Sequence, residues 1–218
     1  MTFAENVKLL LFDPKQFFAD STVTQSLKLP MLFTAVLALC AAISAYTVSV
    51  SAGDLIGMSE MNGILGIIGA VTGFISIFLA WLVVTILFFL FVKGITHTKT
   101  GVKPFLAVTG YASLPIAVGT VLMLLVNALF PQTFDGWLGF LLNLIVLFWC
   151  IPIWIYGFSA TGDVPVRAVA MALLVPLILM IALSAWNVAS SLQAVTAMQS
   201  AGGTGGMQIH TQGPRGPR

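Results

Sequence analysis

Five long apolar stretches constrain this chain more than any other feature of its sequence. They cover residues 31–50, 64–92, 105–130, 137–158 and 165–187. The first four contain no charged residue, and the fifth contains only Arg167, near its start. A helix needs about 20 apolar residues to cross a hydrocarbon core about 30 Å thick. The sequence therefore predicts an all-α, polytopic integral membrane bundle of five transmembrane helices.

The composition of the chain excludes a water-soluble fold. Of its 218 residues, 59% are hydrophobic and only 7% are charged, and the mean hydropathy is +1.05. A soluble domain carries about 25% charged residues to cover its surface. The formal net charge of +2 is too small and too scattered for a nucleic-acid-binding protein. We predict that membrane lipids are partners and that nucleic acid is not.

A short amphipathic segment precedes the first span. Apolar residues recur at helical spacing over residues 3–18, with charged and polar residues between them. Asp13 followed by Pro14 indicates the start of a second helical piece. We predict that residues 1–28 form a cytosolic amphipathic segment whose helices lie in the headgroup layer. A small helix docked on the protein is the alternative.

The predicted membrane domain covers residues 29–190, and a flexible extracytoplasmic tail follows it over residues 191–218. The tail is predicted from its composition, because it contains a cluster of glycines at 202–206 and ends in a repeated Gly-Pro-Arg.

The basic residues close to the predicted spans lie on one side, and Arg215 and Arg218 lie more than about 20 residues past the last span, where a charge has little effect on orientation. Those close to span ends are Lys8, Lys15, Lys28, Lys93, Lys99, Lys103 and Arg167. The connections at 51–63 and 131–136 contain no Lys or Arg. Because Lys and Arg are concentrated in cytoplasmic loops, we predict that the N-terminus and the central loop face the cytoplasm and that the C-terminus is extracytoplasmic.

The middle of every span lacks ionisable side chains. The two histidines, His97 and His210, lie in a loop and in the tail, and Cys40 and Cys150 are far apart in the sequence. Ion-coupled pumps normally keep at least one ionisable group within the membrane. We therefore predict no catalytic residue, no metal site and no cofactor, and a protein that is not an enzyme.

Prolines interrupt three of the predicted spans. Pro115, Pro152 and Pro176 each remove a backbone hydrogen bond and are predicted to kink their helices. The carbonyls that they free need polar partners within the membrane. The polar side chains of these spans either hold the bundle together or line a small polar cavity for a solute or a lipid headgroup.

A ridge of small residues follows one face of the second span. It consists of Gly66, Gly69, Ala70 and Gly73. Such ridges let two helix backbones approach closely. Ala38 and Ala42 offer a matching surface on the first span. We predict packing within the chain, with a seam between two copies of a homo-oligomer as the alternative.

Three short motifs, taken in order, resemble the Yip family, the Ypt/Rab-interacting membrane proteins with a five-span Yip domain. Asp13 to Phe18 precede the first span, Gly110-Tyr111 to Pro115 lie in the third, and Gly157 to Ala168 lead into the fifth. The resemblance implies a helical bundle with a cytosolic N-terminus. The chain lacks a long cytosolic N-terminal domain, as in the prokaryotic branch, which implies location in a prokaryotic inner membrane.

The resemblance implies a non-catalytic membrane adaptor or organiser. Its expected partner is a membrane protein, either an ABC-type exporter or a trafficking factor, bound in the membrane or at the cytoplasmic face. The candidate docking surface consists of Phe17, Phe18, Lys93, Lys99, Lys103 and Arg167, and the candidate motif and hinge residues are Gly110, Tyr111, Pro115, Pro152 and Pro176. A conduit for a small solute or a lipid through the kinked bundle is the alternative.

Overall fold

The computed structural model describes residues 2–55, 59–129 and 136–203, and these residues contain helices and turns but no strand. The helices are α1 (Phe3–Phe12), α2 (Pro14–Ala19), α3 (Lys28–Leu55), α4 (Asn62–Thr96), α5 (Val102–Leu129), α6 (Gly136–Gly162) and α7 (Val166–Gly203). Helices α3 to α7 are long and apolar enough to cross a membrane. The prediction of an all-α bundle with five spans is therefore confirmed.

Local sequence signals explain where the two short helices begin. The Thr2 hydroxyl accepts a hydrogen bond from the Glu5 backbone N–H at 3.3 Å, and the Glu5 carboxylate accepts one from the Thr2 backbone at 2.7 Å. The Asp13 carboxylate likewise accepts from the Gln16 backbone N–H at 3.0 Å, with Pro14 in the first helical position. These caps satisfy backbone donors that a helix start leaves unpaired.

Two predicted boundaries differ from the structure. Helix α4 continues through Lys93 to Thr96, so the basic connection is shorter than expected. Helix α7 continues past residue 187 to Gly203, so the first part of the predicted flexible tail is helical. The first two glycines of the 202–206 cluster are the last residues of that helix. Residues 204–218 of the tail and 130–135 of the predicted turn lie outside the described residues.

Helix α5 is the central element of the bundle. Its buried face includes Phe105, Val108, Tyr111 and Ala112, each at most 2% exposed. The outer helices instead expose apolar side chains such as Ile67 on α4, as expected of surfaces that face lipid. Helix α5 packs on α3, α4 and α6, and α7 packs on α4 and α6.

The long helices are staggered at the end that carries the basic loop. Gly110 of α5 lies against Pro30, close to the start of α3. At 1.5 Å per residue, α5 therefore extends about 10 Å beyond the start of α3. Helices α1 and α2 pack on α5 and α6 in the space beside this extension, where Leu10, Phe17 and Phe18 are buried. We call this end of the bundle the basic end.

The N-terminal helices are thus docked on the bundle, as the alternative interpretation of their pattern predicted, and their place in the headgroup layer stays a prediction. Leu10 is only 1% exposed, whereas Phe3 and Phe12 are 58% and 75% exposed. One apolar face of these helices is buried against the bundle, and a second apolar face is exposed. An amphipathic pattern alone does not distinguish burial against lipid from burial against protein.

Candidate functional site

Tyr111 occupies the centre of an aromatic cluster at the basic end. Its hydroxyl donates a hydrogen bond to the Val23 carbonyl at 2.9 Å, in the turn that leads to α3. The rings of Phe17, Phe18 and Phe33 contact the Tyr111 ring edge-on, with centroids 5.0, 5.9 and 6.2 Å away. Tyr111 therefore ties the N-terminal segment and α3 to the central helix.

Phe17 and Phe18 do not belong to an exposed docking surface, which corrects their predicted place in it. They are 4% and 2% exposed, because their rings pack on Tyr111 rather than facing water or a partner. Phe18 also lies over Gly157 of α6, where an added Cβ would come within 3.1 Å of the ring. Their rings pack α2 against α5 and α6.

Gly110 permits the close contact between α3 and α5. A Cβ at this position would lie 2.6 Å from the Cβ of Pro30 and 3.1 Å from its carbonyl oxygen. Both atoms belong to the ring or backbone of Pro30 and cannot rotate away. In the Gly110-Tyr111 pair, Gly110 thus allows the close contact with α3, and Tyr111 holds the aromatic cluster together.

The three interior prolines lie inside helices that continue past them. Pro115 is in α5, Pro152 in α6 and Pro176 in α7. Pro115 and Pro176 are buried, while Pro152 is half-buried and lines a crevice between α1, α2 and α6. None of the three ends its helix, and their role as hinges stays a prediction.

A network of hydroxyl groups joins α3, α4 and α5 inside the bundle. The Trp81 indole N–H donates to the Thr109 hydroxyl at 2.9 Å, and the hydroxyls of Thr85 and Thr109 lie 2.6 Å apart. One turn further along α5, the Ser113 hydroxyl lies 3.2 Å from that of Thr34. Each such interhelical bond stabilises a membrane bundle by about 0.6 kcal/mol.

Most of these interhelical hydrogen bonds were not predicted from the sequence. Polar side chains were expected to bond to the carbonyls that the prolines free, whereas these hydroxyls bond to carbonyls of their own helices and to polar groups of the neighbouring helices. A usable signal was present, because Trp81 and Thr85 lie four residues apart in a span without charged residues. That spacing places both polar groups on one face of a helix.

The small-residue ridge of α4 packs within the chain. A Cβ on Gly69 would lie 2.7 Å from the Ala45 carbonyl oxygen, and one on Gly73 would lie 2.9 Å from that of Ala41. Gly66 lies beneath the Tyr46 ring. The ridge therefore faces α3 of the same chain.

The partners of this ridge differ from those expected. Ala41 and Ala45 of α3 meet the glycines, in place of the predicted Ala38 and Ala42. Ala38 is fully buried, and Ala70, the remaining ridge residue, is half-buried. Several faces of α3 carry small residues, so the choice of face depends on packing in three dimensions.

The basic connection between α4 and α5 is tied to the connection between α6 and α7. The Thr98 hydroxyl donates to the Gly162 carbonyl at 3.2 Å, and the Thr100 hydroxyl donates to the Thr161 carbonyl at 3.2 Å. His97 and Asp163 have left-handed backbone angles, with φ of 53° and 49°, which reverse the chain at these two connections. The two connections therefore form one surface.

The predicted basic residues are exposed at this surface. Lys93, Lys99, Lys103 and Arg167 all have exposed side chains, and the Lys93 ammonium lies 5.1 Å from the centre of the Phe89 ring. Within the described ranges no carboxylate pairs with these bases. The structure thus brings together the four basic members of the predicted docking surface and leaves out its two phenylalanines.

Three carboxylates of the N-terminal segment, those of Glu5, Asp13 and Asp20, accept hydrogen bonds at helix starts. Hydrogen bonds from the Thr22 side chain and backbone lower the pKa of Asp20, and those from Thr2 lower the pKa of Glu5. The described part of the chain contains no group of three His, Cys, Asp or Glu side chains that could hold a metal ion. The site therefore offers binding through charge and shape.

The features described above lie within a range that matches a known protein family. The profile of the Yip1 domain matches residues 8–187, from α1 to the end of the fifth span. A search of curated proteins found no significant match, and a search of solved structures found none. The matched range contains the second half of α1, all of α2, the Gly110-Tyr111 pair and all five spans, and on this match the chain belongs to the Yip1 domain family.

Proposed function

We propose that this chain is a non-catalytic membrane adaptor whose basic end binds an acidic cytoplasmic segment of another membrane protein. The observation that carries the proposal is the pair of threonine hydrogen bonds that join the two connections. They hold Lys99, Lys103 and Arg167 on one surface without carboxylate partners among the described residues. An ABC-type exporter or a trafficking factor is the class of partner that family resemblance implies.

Attraction to anionic lipid is the competing explanation for the same charges. A basic residue close to an anionic leaflet contributes about 1 kcal/mol of attraction whatever the shape of its surroundings. A docking surface for protein depends in addition on the positions of the charges. The two explanations therefore differ in their response to changes that keep charge and alter geometry.

A charge-neutral variant and two charge-preserving variants test the adaptor function. Changing Lys93, Lys99 and Lys103 together to Gln removes three positive charges. An exposed ion pair contributes up to about 1 kcal/mol. We therefore expect this variant to bind the partner protein up to about a hundredfold more weakly. Changing these residues to Arg, or Thr98 and Thr100 to Val, keeps every charge. We expect both charge-preserving variants to lose partner recovery in crosslinking from native membranes while retaining bound anionic lipid.

Two results together would contradict the adaptor function. Both charge-preserving variants would recover partner proteins as well as the unchanged chain, and the Gln variant would lose bound lipid but no partner protein. In that case the bases serve membrane attraction and topology alone.

The adaptor function requires the basic end to face the cytoplasm, as positive-inside orientation predicts. With Cys40 and Cys150 changed to Ala, a single cysteine at Gln212 is expected to react with an impermeant thiol reagent in intact cells. Gly101 is exposed, and a Cβ added there would meet no atom within 4 Å. A cysteine at this position is expected to react only after the cells are opened. Labelling at residue 101 but not 212 in intact cells would reverse the orientation.

A further inference from the structure

A crevice lies between α6 and the corner that α1 and α2 form. Its volume is about 330 Å³, within the range of about 300–1,000 Å³ that is typical of small-molecule sites. The Trp149 indole N–H, in the wall of the crevice, donates a hydrogen bond to the Leu11 carbonyl at 2.9 Å. This bond holds the corner on α6, so the two sides of the crevice are fixed to each other.

Two side chains of opposite charge, Asp13 and Lys15, line this crevice. One oxygen of the Asp13 carboxylate caps α2 by accepting a hydrogen bond from the Gln16 backbone N–H at 3.0 Å. Neither charged group forms an ion pair in the part of the chain that the structure describes. Side chains two residues apart at a helix do not face each other, which explains why these two do not pair. A ligand with one positive and one negative group would therefore complement both.

Apolar side chains complete the wall of the crevice beside these charges. Ile153 is 1% exposed, whereas Phe12, which also lines the crevice, is 75% exposed. Tyr156 of the same wall lies six residues, and so about 9 Å, before the end of α6 at Gly162. Because charged side chains avoid the hydrocarbon core, we expect Asp13 and Lys15 to lie among lipid headgroups, with the exposed ring of Phe12 against the acyl chains.

We propose that this crevice binds the headgroup of a phospholipid that carries a primary ammonium as well as a phosphate, as phosphatidylethanolamine does. The Lys15 ammonium pairs with the lipid phosphate, and the free oxygen of the Asp13 carboxylate accepts a hydrogen bond from the lipid ammonium. The acyl chains of the lipid remain in the bilayer and contact Phe12. The site uses none of the residues of the basic connections and does not depend on the adaptor function.

Competition between lipids with different headgroups tests this site. The full-length chain in a nonionic detergent receives equal amounts of phosphatidylethanolamine, phosphatidylcholine and phosphatidylglycerol with identical acyl chains. Native mass spectrometry then measures which lipids the chain retains. The choline headgroup has no N–H to donate to Asp13, and the glycerol headgroup has no ammonium. We expect the chain to retain about fivefold more phosphatidylethanolamine than either competitor, the value for one exposed ion pair.

Substitutions at the two charged positions test which group binds which part of the lipid. Asp13→Asn removes the negative charge and keeps the helix cap, because Asn caps a helix as well as Asp does. We expect this variant to retain phosphatidylethanolamine and phosphatidylglycerol equally. Lys15→Gln removes the partner of the phosphate, and we expect it to retain about fivefold less of all three lipids.

Two controls separate this site from general attraction and from a soluble ligand. Lys8→Gln removes an exposed charge of α1 that does not line the crevice, and we expect it to keep the preference of the unchanged chain. Glycerophosphoethanolamine has the same charged headgroup without acyl chains, and we expect it to displace the lipid only in large excess. Thermal unfolding of each variant is measured alongside.

Equal retention of the three lipids by the unchanged chain would overturn the headgroup site. An unchanged preference in Asp13→Asn would overturn the pairing of Asp13 with the lipid ammonium. Displacement by glycerophosphoethanolamine at a concentration equal to that of the lipid would mean that the crevice binds a soluble zwitterion instead. If Asp13→Asn does not fold, Asp13→Ser, which also caps a helix, replaces it, and the same outcomes decide the proposal.

Discussion

Replacing Phe18 by Ala is expected to lower the free energy of unfolding by about 3–5 kcal/mol, the range for a buried phenylalanine. The Phe18 ring is 2% exposed and packs between Tyr111 and the bare backbone of Gly157. Its removal leaves a cavity between α2, α5 and α6. We expect reversible unfolding in mixed micelles to show the loss. Limited trypsin digestion should also cleave after Lys8 and Lys15 faster, because α1 and α2 are released.

The matched control is Phe12→Ala in the same N-terminal segment. Phe12 is 75% exposed, and its ring lies 6.4 Å from that of Trp149. An aromatic pair of this kind contributes about 0.5–1.5 kcal/mol, so we expect a smaller loss and little change in digestion. Equal effects of the two variants would mean that α2 is not held by its buried ring.

Replacing Gly110 by Leu is expected to separate α3 from α5 and to cost at least the 1–3 kcal/mol typical of overpacking. The first atom of the new side chain would already lie 2.6 Å from the Cβ of Pro30. Because Tyr111 is the next residue, its hydrogen bond to Val23 and its ring contacts should weaken as well. Thermal unfolding in detergent, followed by loss of helical circular dichroism, measures the effect.

Gly94→Leu is the control for a glycine-to-leucine change inside a helix. Gly94 lies in the last turns of α4, and a Cβ there meets no atom within 4 Å. Leucine also has the higher helix propensity, so we expect this variant to keep or raise stability. A Gly110→Leu chain as stable as the Gly94→Leu chain would contradict the close contact between α3 and α5.

Features that depend on local sequence were predicted correctly. The five spans follow from apolar length, and the start of α2 follows from Asp13 and Pro14. Each of these signals concerns a helix and its immediate neighbours in the chain, and so it can be recognised without knowledge of the bundle. The glycine ridge of α4 was likewise recognised from spacing alone, although its exact partners on α3 were not.

Features that depend on a choice between lipid and protein were predicted less well. The apolar pattern around Phe17 and Phe18 is equally compatible with a helix lying on a membrane and with one docked on the bundle. The structure resolves this ambiguity because Tyr111 and Gly157 provide a complementary surface for the rings. That surface comes from two other helices and has no signal in the N-terminal sequence.

The sequence by itself determined that this chain is a five-span membrane protein with its basic residues gathered on one side. Only the tertiary structure decided which faces are buried and which hydroxyls bond across helices. Thr98 and Gly162, which join the two basic connections, are 64 residues apart in the chain. These contacts could not be predicted from the sequence because lipid and helix surfaces are equally apolar. Shape and hydrogen bonding, rather than hydrophobicity, therefore select the contacts between spans.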